Sequence, residues 1–237
     1  MGGVMVNQNL TPIMLVAGPI LLLGAFIMWP AQTYVGERAT QSLIDEADTL
    51  MPLLIAATLG VILMFGGLHL LNSEMMEGST GMNKQLLTLG SMLIMVSLVS
   101  FVMGLGSNVT VINNVDVPQD DSQEWVDNAY KDGADYMDSQ NAAIDAGAVI
   151  WQMSPVTWGL ALILIGLVAF LSERQEGAMG FVLPALMPIG TIFLSAPIIN
   201  DPDVFNAVFP LVIITHTVIG GLMLAGMVEV PGGTSEA

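Results

Sequence analysis

The sequence predicts an all-α, polytopic membrane protein with six transmembrane helices and an acidic helical cap outside the membrane. Hydrophobic residues make up 54% of the 237 residues and charged residues only 11%, less than half of what a soluble domain carries. The mean hydropathy is +0.72, and six separate windows are apolar over the roughly 20 residues that a helix needs to cross a bilayer. Because a soluble protein of this size would need a more polar surface, the excess apolar residues are expected to face lipid.

The six windows are separated by polar segments rich in Gly, Asn, Asp and Pro, which are typical of turns and loops. We expect one transmembrane domain over 1–237. Its spans are predicted at about 11–30, 51–71, 85–106, 146–171, 179–199 and 206–228. The first span is expected to be retained, because the preceding "MGGVMVNQN" lacks the basic region of a signal peptide.

Six spans place both termini on one side of the membrane, and the basic residues suggest which side. Lys84 and Arg174 lie in short loops close to span ends, whereas Arg38 and Lys131 lie in the opposite loops. Short basic loops favour the cytoplasmic side, while long segments cross largely regardless of charge. We therefore expect a multi-pass protein of the cell membrane with cytoplasmic termini.

Two segments on the expected outer side are predicted to form helices outside the lipid. In 36–50, apolar residues recur along one helical stripe, which is typical of an amphipathic helix. These residues are Ala39, Leu43, Ala47 and Leu50. The loop 107–145 is too long for a plain connector, and we expect it to form the acidic helical cap.

Tryptophan and tyrosine residues gather at the expected outer boundary, and none is expected at the inner one. Trp29, Trp151 and Trp158 are among them. Amphipathic rings prefer the headgroup level of a membrane. The outer end is therefore expected to be anchored by these rings or packed against another element.

The charge balance and the absence of cysteine exclude several partners and sites. The 21 acidic and 4 basic residues give a formal charge of −17. Nucleic acid is bound by Lys and Arg clusters, so it is not an expected partner. The expected partners are the lipid bilayer and other membrane subunits or further copies of the chain. Without cysteine, disulfides, iron–sulfur clusters and thiolate metal sites are excluded.

The two histidines, His69 and His216, both lie within predicted spans, where an ionisable residue is a functional candidate. One haem bound by both rings would need them only ~4 Å apart. Their positions along two spans of the same direction differ in depth by roughly 12 Å at ~1.5 Å rise per residue. A shared haem is therefore disfavoured, although either histidine stays a candidate metal ligand.

His69 lies near the inner end of its span and can reach the interface. His216 lies near mid-membrane, where it must be neutral and find partners on other helices. Three interpretations of His216 stay open: a structural interhelical hydrogen bond, a polar point in a pathway, or a metal ligand.

Span five is the best candidate for lining a pathway, because it carries several prolines; the alternative is a merely bent packing helix. A proline within a helix removes a hydrogen bond and bends or breaks the helix. Unwound backbone at membrane depth is tolerated where protein or a watery cavity covers it. The candidate pathway residues of spans five and six are Pro188, Thr191, Ser195 and His216.

Two further metal hypotheses come from carboxylates and thioethers. Asp132, Asp135 and Asp138 share one helical face of the outer loop and could bind a divalent cation, although the ligand order of an EF-hand is missing. The methionines of the inner loop 75–82 suit copper(I). However, the 18 methionines are spread through every span, as residues that fill gaps in a core would be. No cofactor is implied.

The sequence contains no nucleophile–base pair, phosphate-binding loop or metalloprotease motif, and no charged residue lies deep within a span. An enzyme or a coupled pump is therefore disfavoured. The first hypothesis is a non-catalytic integral membrane subunit, an accessory or scaffold component of a larger complex or a homo-oligomer. Small-residue faces such as Gly60/Gly67 and Gly221/Ala225 would allow its helices to pack closely.

Two alternatives stay open beside this hypothesis. One is a passive channel or facilitator for a small neutral solute, lined by spans five and six around His216. The other is a redox subunit that binds haem or copper.

Overall fold

A computed structural model describes residues 10–29, 37–112, 133–173, 175–199 and 202–230. Within these ranges the chain is helical, with no strand. Six helical segments are long and apolar enough to cross a membrane, which confirms the predicted number. They cover Leu10–Ile27, Ala47–Glu77, Gly81–Ile112, Asp135–Leu171, Ala178–Ile199 and Val204–Leu224.

The α-helices are numbered here in chain order. The first four are α1 (Leu10–Ile27), α2 (Glu37–Asp45), α3 (Ala47–Glu77) and α4 (Gly81–Ile112). The others are α5 (Gly133–Trp151), α6 (Met153–Leu171), α7 (Leu186–Ile199) and α8 (Pro202–Leu224). Helices α3 and α4 are longer than the predicted spans 51–71 and 85–106, because their backbone hydrogen bonds continue through polar residues at which the apolar windows stop.

Six helices form a closed ring in the order α1, α3, α4, α6, α7 and α8, and α8 returns to pack on α1. Neighbouring helices are antiparallel. Between α1 and α3, for example, Gly60 meets Leu22 while the later Gly67 meets the earlier Leu15. We call the end of the ring at the α3–α4 connection the turn end, and the opposite end, where α2 and α5 lie, the cap end.

Two of the ring contacts are helix crossings at glycines. Between α1 and α3, a Cβ on Gly18 would lie 2.7 Å from the Gly60 carbonyl oxygen, and a Cβ on Gly60 would lie 2.8 Å from that of Gly18. Between α6 and α7, the corresponding distances for Gly159 and Gly190 are 3.0 and 2.6 Å. Only glycine allows helices to approach so closely. The Gly60/Gly67 face was predicted to pack, whereas the α6–α7 crossing was not predicted.

At the cap end, α2 and α5 pack together beside the last turns of α4. Ile44, Val111 and Tyr136, one from each helix, form a small buried cluster. The Thr40 hydroxyl donates a hydrogen bond to the side-chain oxygen of Asn141. These contacts hold α2 and α5 against the part of α4 that extends past its predicted span.

The predicted amphipathic segment 36–50 is divided between two helices. Helix α2 ends at Asp45, and α3 begins at Ala47. Three members of the predicted apolar stripe, Leu43, Ala47 and Leu50, are buried. Residues 113–132 of the predicted cap lie outside the described residues.

Span five begins in turns and continues as one helix that contains Pro188 and Pro197. A 3₁₀ turn at Ala178–Phe181 is followed by further turns before α7 begins at Leu186. The Met187 amide donates to the Pro184 carbonyl oxygen at 3.1 Å. Local hydrogen bonds of this kind satisfy backbone groups that a proline removes from the regular helix.

Candidate functional site

The interior of the ring is filled by aromatic side chains, and every helix of the ring contributes at least one. We call them the aromatic core. Its members are Phe26 of α1, Phe65 of α3, Phe101 of α4, Trp158 of α6, Phe193 of α7, and Phe205 and Phe209 of α8. The Trp158 ring lies 4.8 Å from Phe65, 5.1 Å from Phe193 and 6.3 Å from Phe209, measured between centroids. These edge-to-face and tilted contacts pack the axis of the ring.

Trp158 corrects one expectation of the sequence analysis, which placed it at the outer membrane boundary. Its side chain is fully buried at the centre of the aromatic core. The fourth apolar segment begins at Asp135, because α5 runs into α6 with Gln152 between them. Trp158 lies five residues after the start of α6 at Met153 and packs inside the ring, against Phe65 of α3 and Phe193 of α7.

His216 lies beside the aromatic core and is 1% exposed. Its ring centroid is 5.4 Å from that of Trp158, with the ring planes at 57°. Nδ1 lies 2.7 Å from the carbonyl oxygen of Val212, one turn earlier on α8. Since a carbonyl oxygen only accepts, Nδ1 carries the hydrogen, and Nε2 of the neutral ring is an acceptor.

His216 Nε2 has no hydrogen-bond partner among the described residues. The interhelical hydrogen bond, one of the three interpretations of His216, is therefore not formed within the described part of the chain. The ring meets α6 through its contact with Trp158 and makes its hydrogen bond within α8.

A group of buried hydroxyls lies next to Trp158. Ser97 Oγ of α4 and Thr157 Oγ1 of α6 are 2.7 Å apart and share a hydrogen bond. Ser97 Oγ also lies 3.4 Å from the carbonyl oxygen of Ser154. In contrast, Ser154 Oγ and Trp158 Nε1 have no partner among the described residues. We call Ser154, Trp158 and His216, which each carry one such atom, the buried polar site.

Asn72 is a fully buried polar residue that the sequence analysis did not select. Its side-chain amide, on α3, donates to the Leu87 carbonyl oxygen and to Ser91 Oγ of α4, both at 2.8 Å. Asn72 Oδ1 accepts no hydrogen bond from the described residues. It faces Gly90, where a Cβ would lie only 3.1 Å away, so a Gly90 Cα–H group is its neighbour.

The sequence did contain a signal for Asn72. The predicted span stopped at 71, one residue too early. Continued at helical spacing, the buried face of α3 passes through Leu68, Leu71, Asn72 and Met75. A polar residue on the apolar face of a helix is expected to bind a neighbouring element.

The two histidines lie at different depths. Gly67 of α3 and Gly220 of α8 both meet Leu15 of α1 and so mark one level of the ring. His69 lies two residues past Gly67 toward the turn end, and His216 lies four residues before Gly220. The two histidines are therefore displaced in opposite directions from this level, by two and four residues, which together correspond to ~9 Å along parallel helices. This separation is too large for the two rings to bind the same iron.

The structure does not bring the candidate pathway residues together with His216. Thr191 and Pro188 are exposed and Ser195 is half-buried on α7, whereas His216 is buried. The hydroxyls of Thr191 and Ser195 donate to carbonyl oxygens of their own helix at 2.9 and 2.6 Å. Helix α7 instead directs Phe193 toward the aromatic core.

The candidate metal residues are only partly described. Asp132 lies outside the described residues, while Asp135 is half-buried and Asp138 is exposed on α5. Within the described ranges, no three His, Asp or Glu side chains are grouped as they would be to hold a metal ion. In the methionine loop, Met75 is buried and Met82 is exposed. The outer cation site, which needs Asp132, stays a prediction.

Comparison with known proteins adds no relative. No protein-family model matches this chain, and no curated protein or solved structure matches it significantly.

Proposed function

We propose that this chain is a non-catalytic integral membrane subunit, an accessory or scaffold component of a larger membrane complex or of a homo-oligomer. The observation that carries this proposal is the closed ring whose interior is filled by the aromatic core. Rings packed edge to face leave little space for water or solute along the axis. This supports a rigid packing unit more than a conduit or a reaction chamber.

The outer surface of the ring supports insertion of all six spans into a bilayer. Large apolar side chains are exposed along its helices, including Ile20, Ile55, Met92, Ile198 and Val218. Exposed hydroxyls are bonded within their own helices, as in the 2.8 Å bond from Thr215 to the Leu211 carbonyl oxygen. Lipid offers no hydrogen bonds, so such internal pairing is required at a lipid-facing surface.

Partners are proposed to be other membrane subunits or further copies of this chain. Small residues interrupt the apolar exterior at Gly24 and Gly221, where an added Cβ would meet no atom within 4 Å. At such positions a helix of another subunit can approach closely.

We also propose that the protein resides in the cell membrane with cytoplasmic termini. Lys84 is exposed at the turn end, while Asp138 is exposed on α5 at the cap end. Because the chain contains no cysteine, Lys84→Cys and Asp138→Cys each introduce a single reactive thiol. A membrane-impermeant maleimide added to intact cells is expected to label only the second variant. The reverse pattern contradicts the orientation, and labelling of both contradicts the proposed insertion.

Native mass spectrometry of the protein, extracted from its membrane in a gentle detergent, tests the proposed function. We expect one assembly of defined stoichiometry, unchanged in His216→Gln, because His216 is buried within one ring. A monomer at every concentration, with no associated chain, contradicts the proposal. An absorption spectrum and an elemental analysis of the same sample test the redox alternative, which bound haem or copper would support.

A further inference from the structure

The buried polar site contains a donor and an acceptor that match each other chemically but are not joined. Trp158 Nε1 carries a hydrogen and can only donate, whereas Nε2 of neutral His216 can only accept. The two rings are in contact, with centroids 5.4 Å apart, and both side chains are at least 99% buried. Neither nitrogen has a hydrogen-bond partner among the described residues.

A third unpartnered atom lies one helical turn away. Ser154 precedes Trp158 by four residues on α6, so the two residues share a face of the helix. Helical side chains point back toward the N-terminus of their helix, which directs the Trp158 ring toward the turn that contains Ser154. The Ser154 hydroxyl is fully buried and can both donate and accept.

We propose that the buried polar site binds one water molecule, which bridges Trp158 Nε1 and His216 Nε2 and takes the Ser154 hydroxyl as its third partner. A buried water typically makes about three hydrogen bonds to otherwise unsatisfied polar groups. A bridging group must accept a hydrogen bond from Trp158 Nε1 and donate one to His216 Nε2. A metal cation cannot accept the indole hydrogen, and an anion cannot donate to Nε2.

Water also suits the surroundings better than a larger hydroxyl compound. An alcohol or a sugar would bring additional atoms into a region already occupied by Phe65, Phe193 and Phe209. Protein interiors are close-packed, so each additional group would have to displace a neighbour.

The bridge would connect two helices that are not neighbours in the ring. Helix α6 lies between α4 and α7, and α8 lies between α7 and α1. The contact between Trp158 and His216 therefore crosses the interior of the ring. A water at this point links α6 to α8 by hydrogen bonds, while their rings pack against each other.

Proton-detected NMR of the deuterated, ¹⁵N-labelled protein in lipid nanodiscs tests this proposal. The chain has four tryptophans, and Trp158→Phe identifies the indole signal of Trp158. We expect a direct cross-peak between this indole hydrogen and water. It should persist in Ser154→Ala, because two partners remain, and be lost in His216→Phe, which removes the acceptor but keeps an aromatic ring.

Two results would overturn the proposal. One is the absence of a water cross-peak at the Trp158 indole, with a ¹⁵N–¹⁵N coupling that reports a direct bond to His216. The other is a cross-peak that disappears in Ser154→Ala, since the serine hydroxyl would then be its source. If Trp158→Phe does not fold, selective ¹⁵N labelling of the tryptophans and comparison with His216→Phe identify the same signal.

Discussion

Asn72 and His216 are two polar side chains at the same extreme of burial, but they are bonded in different ways. Both are at most 1% exposed. Asn72 donates both amide hydrogens from α3 to α4. His216 makes its hydrogen bond to Val212 on its own helix, and its other ring nitrogen is without a partner among the described residues.

This difference indicates that Asn72 helps to hold two helices together, whereas the hydrogen bond of His216 to Val212 does not. Hydrogen bonds between helices stabilise one arrangement of those helices, whereas a bond within one helix does not select its neighbours. Asn72 thus fixes α4 against α3. The position of α8 depends instead on apolar packing, including Gly220 against Pro12 and Leu15 of α1.

The largest effect is expected where the Asn72 contact is disturbed sterically. In Gly90→Leu, the new side chain starts 3.1 Å from Asn72 Oδ1 and has no space between α3 and α4. We expect a loss of about 2–3 kcal/mol in the free energy of unfolding, measured by titration of mixed micelles with SDS.

Gly106→Leu on the same helix is the matched control, since a Cβ at Gly106 meets no atom within 4 Å. Equal destabilisation by the two substitutions would show that leucine in α4, and not the contact with Asn72, causes the loss.

A smaller loss is expected when the Asn72 amide is removed. Asn72→Leu keeps the branched shape of the side chain, with methyl groups in place of its polar ends, and deletes two bonds to α4. We expect a loss of about 1–2 kcal/mol in the same titration. Ser73→Ala is the control, because the Ser73 hydroxyl donates only to the His69 carbonyl oxygen of α3. If both substitutions have the same effect, the Asn72 amide does not stabilise the contact between α3 and α4.

The smallest effect is expected at His216. His216→Phe keeps a ring against Trp158 and leaves the packing of α8 on α1 in place, but it removes the bond within α8 and the acceptor of the proposed water bridge. The free energy of unfolding should therefore fall by about 1 kcal/mol. Its unfolding curve can be compared directly with that of Asn72→Leu. A larger loss in His216→Phe than in Asn72→Leu would reverse the distinction between the two sites.

The sequence predicted the helical class and the number of apolar spans because both follow from composition and from windows of apolar residues. The prolines of span five predicted a bend or a break, and in the structure the turns around Pro184 precede a continuous α7. The order of the helices in the ring could not be predicted, because an apolar helix face does not specify which other helix packs against it. Trp158 was misplaced for the same reason: an indole suits a membrane interface or a core, and only the packing of α6 against α3 and α7 decides between them.

The two polar sites were predicted unequally. His216 is conspicuous in "LVIITHTVIGG", and its burial agrees with its position in that apolar run. The neighbours of the His216 ring could not be predicted, because its contact residue Trp158 lies on another helix, 58 residues earlier in the chain. Asn72 was missed because the apolar window ended at its neighbour, although the helix continues to Glu77.

Solute flux tests the central claim, that the aromatic core closes the ring, most directly. The purified protein is placed in liposomes, and the uptake of water and of glycerol is followed by stopped-flow light scattering. We predict the same rates as in protein-free liposomes, and no change in His216→Leu. Rapid uptake that requires the protein and falls in His216→Leu would contradict a closed ring and support a facilitator.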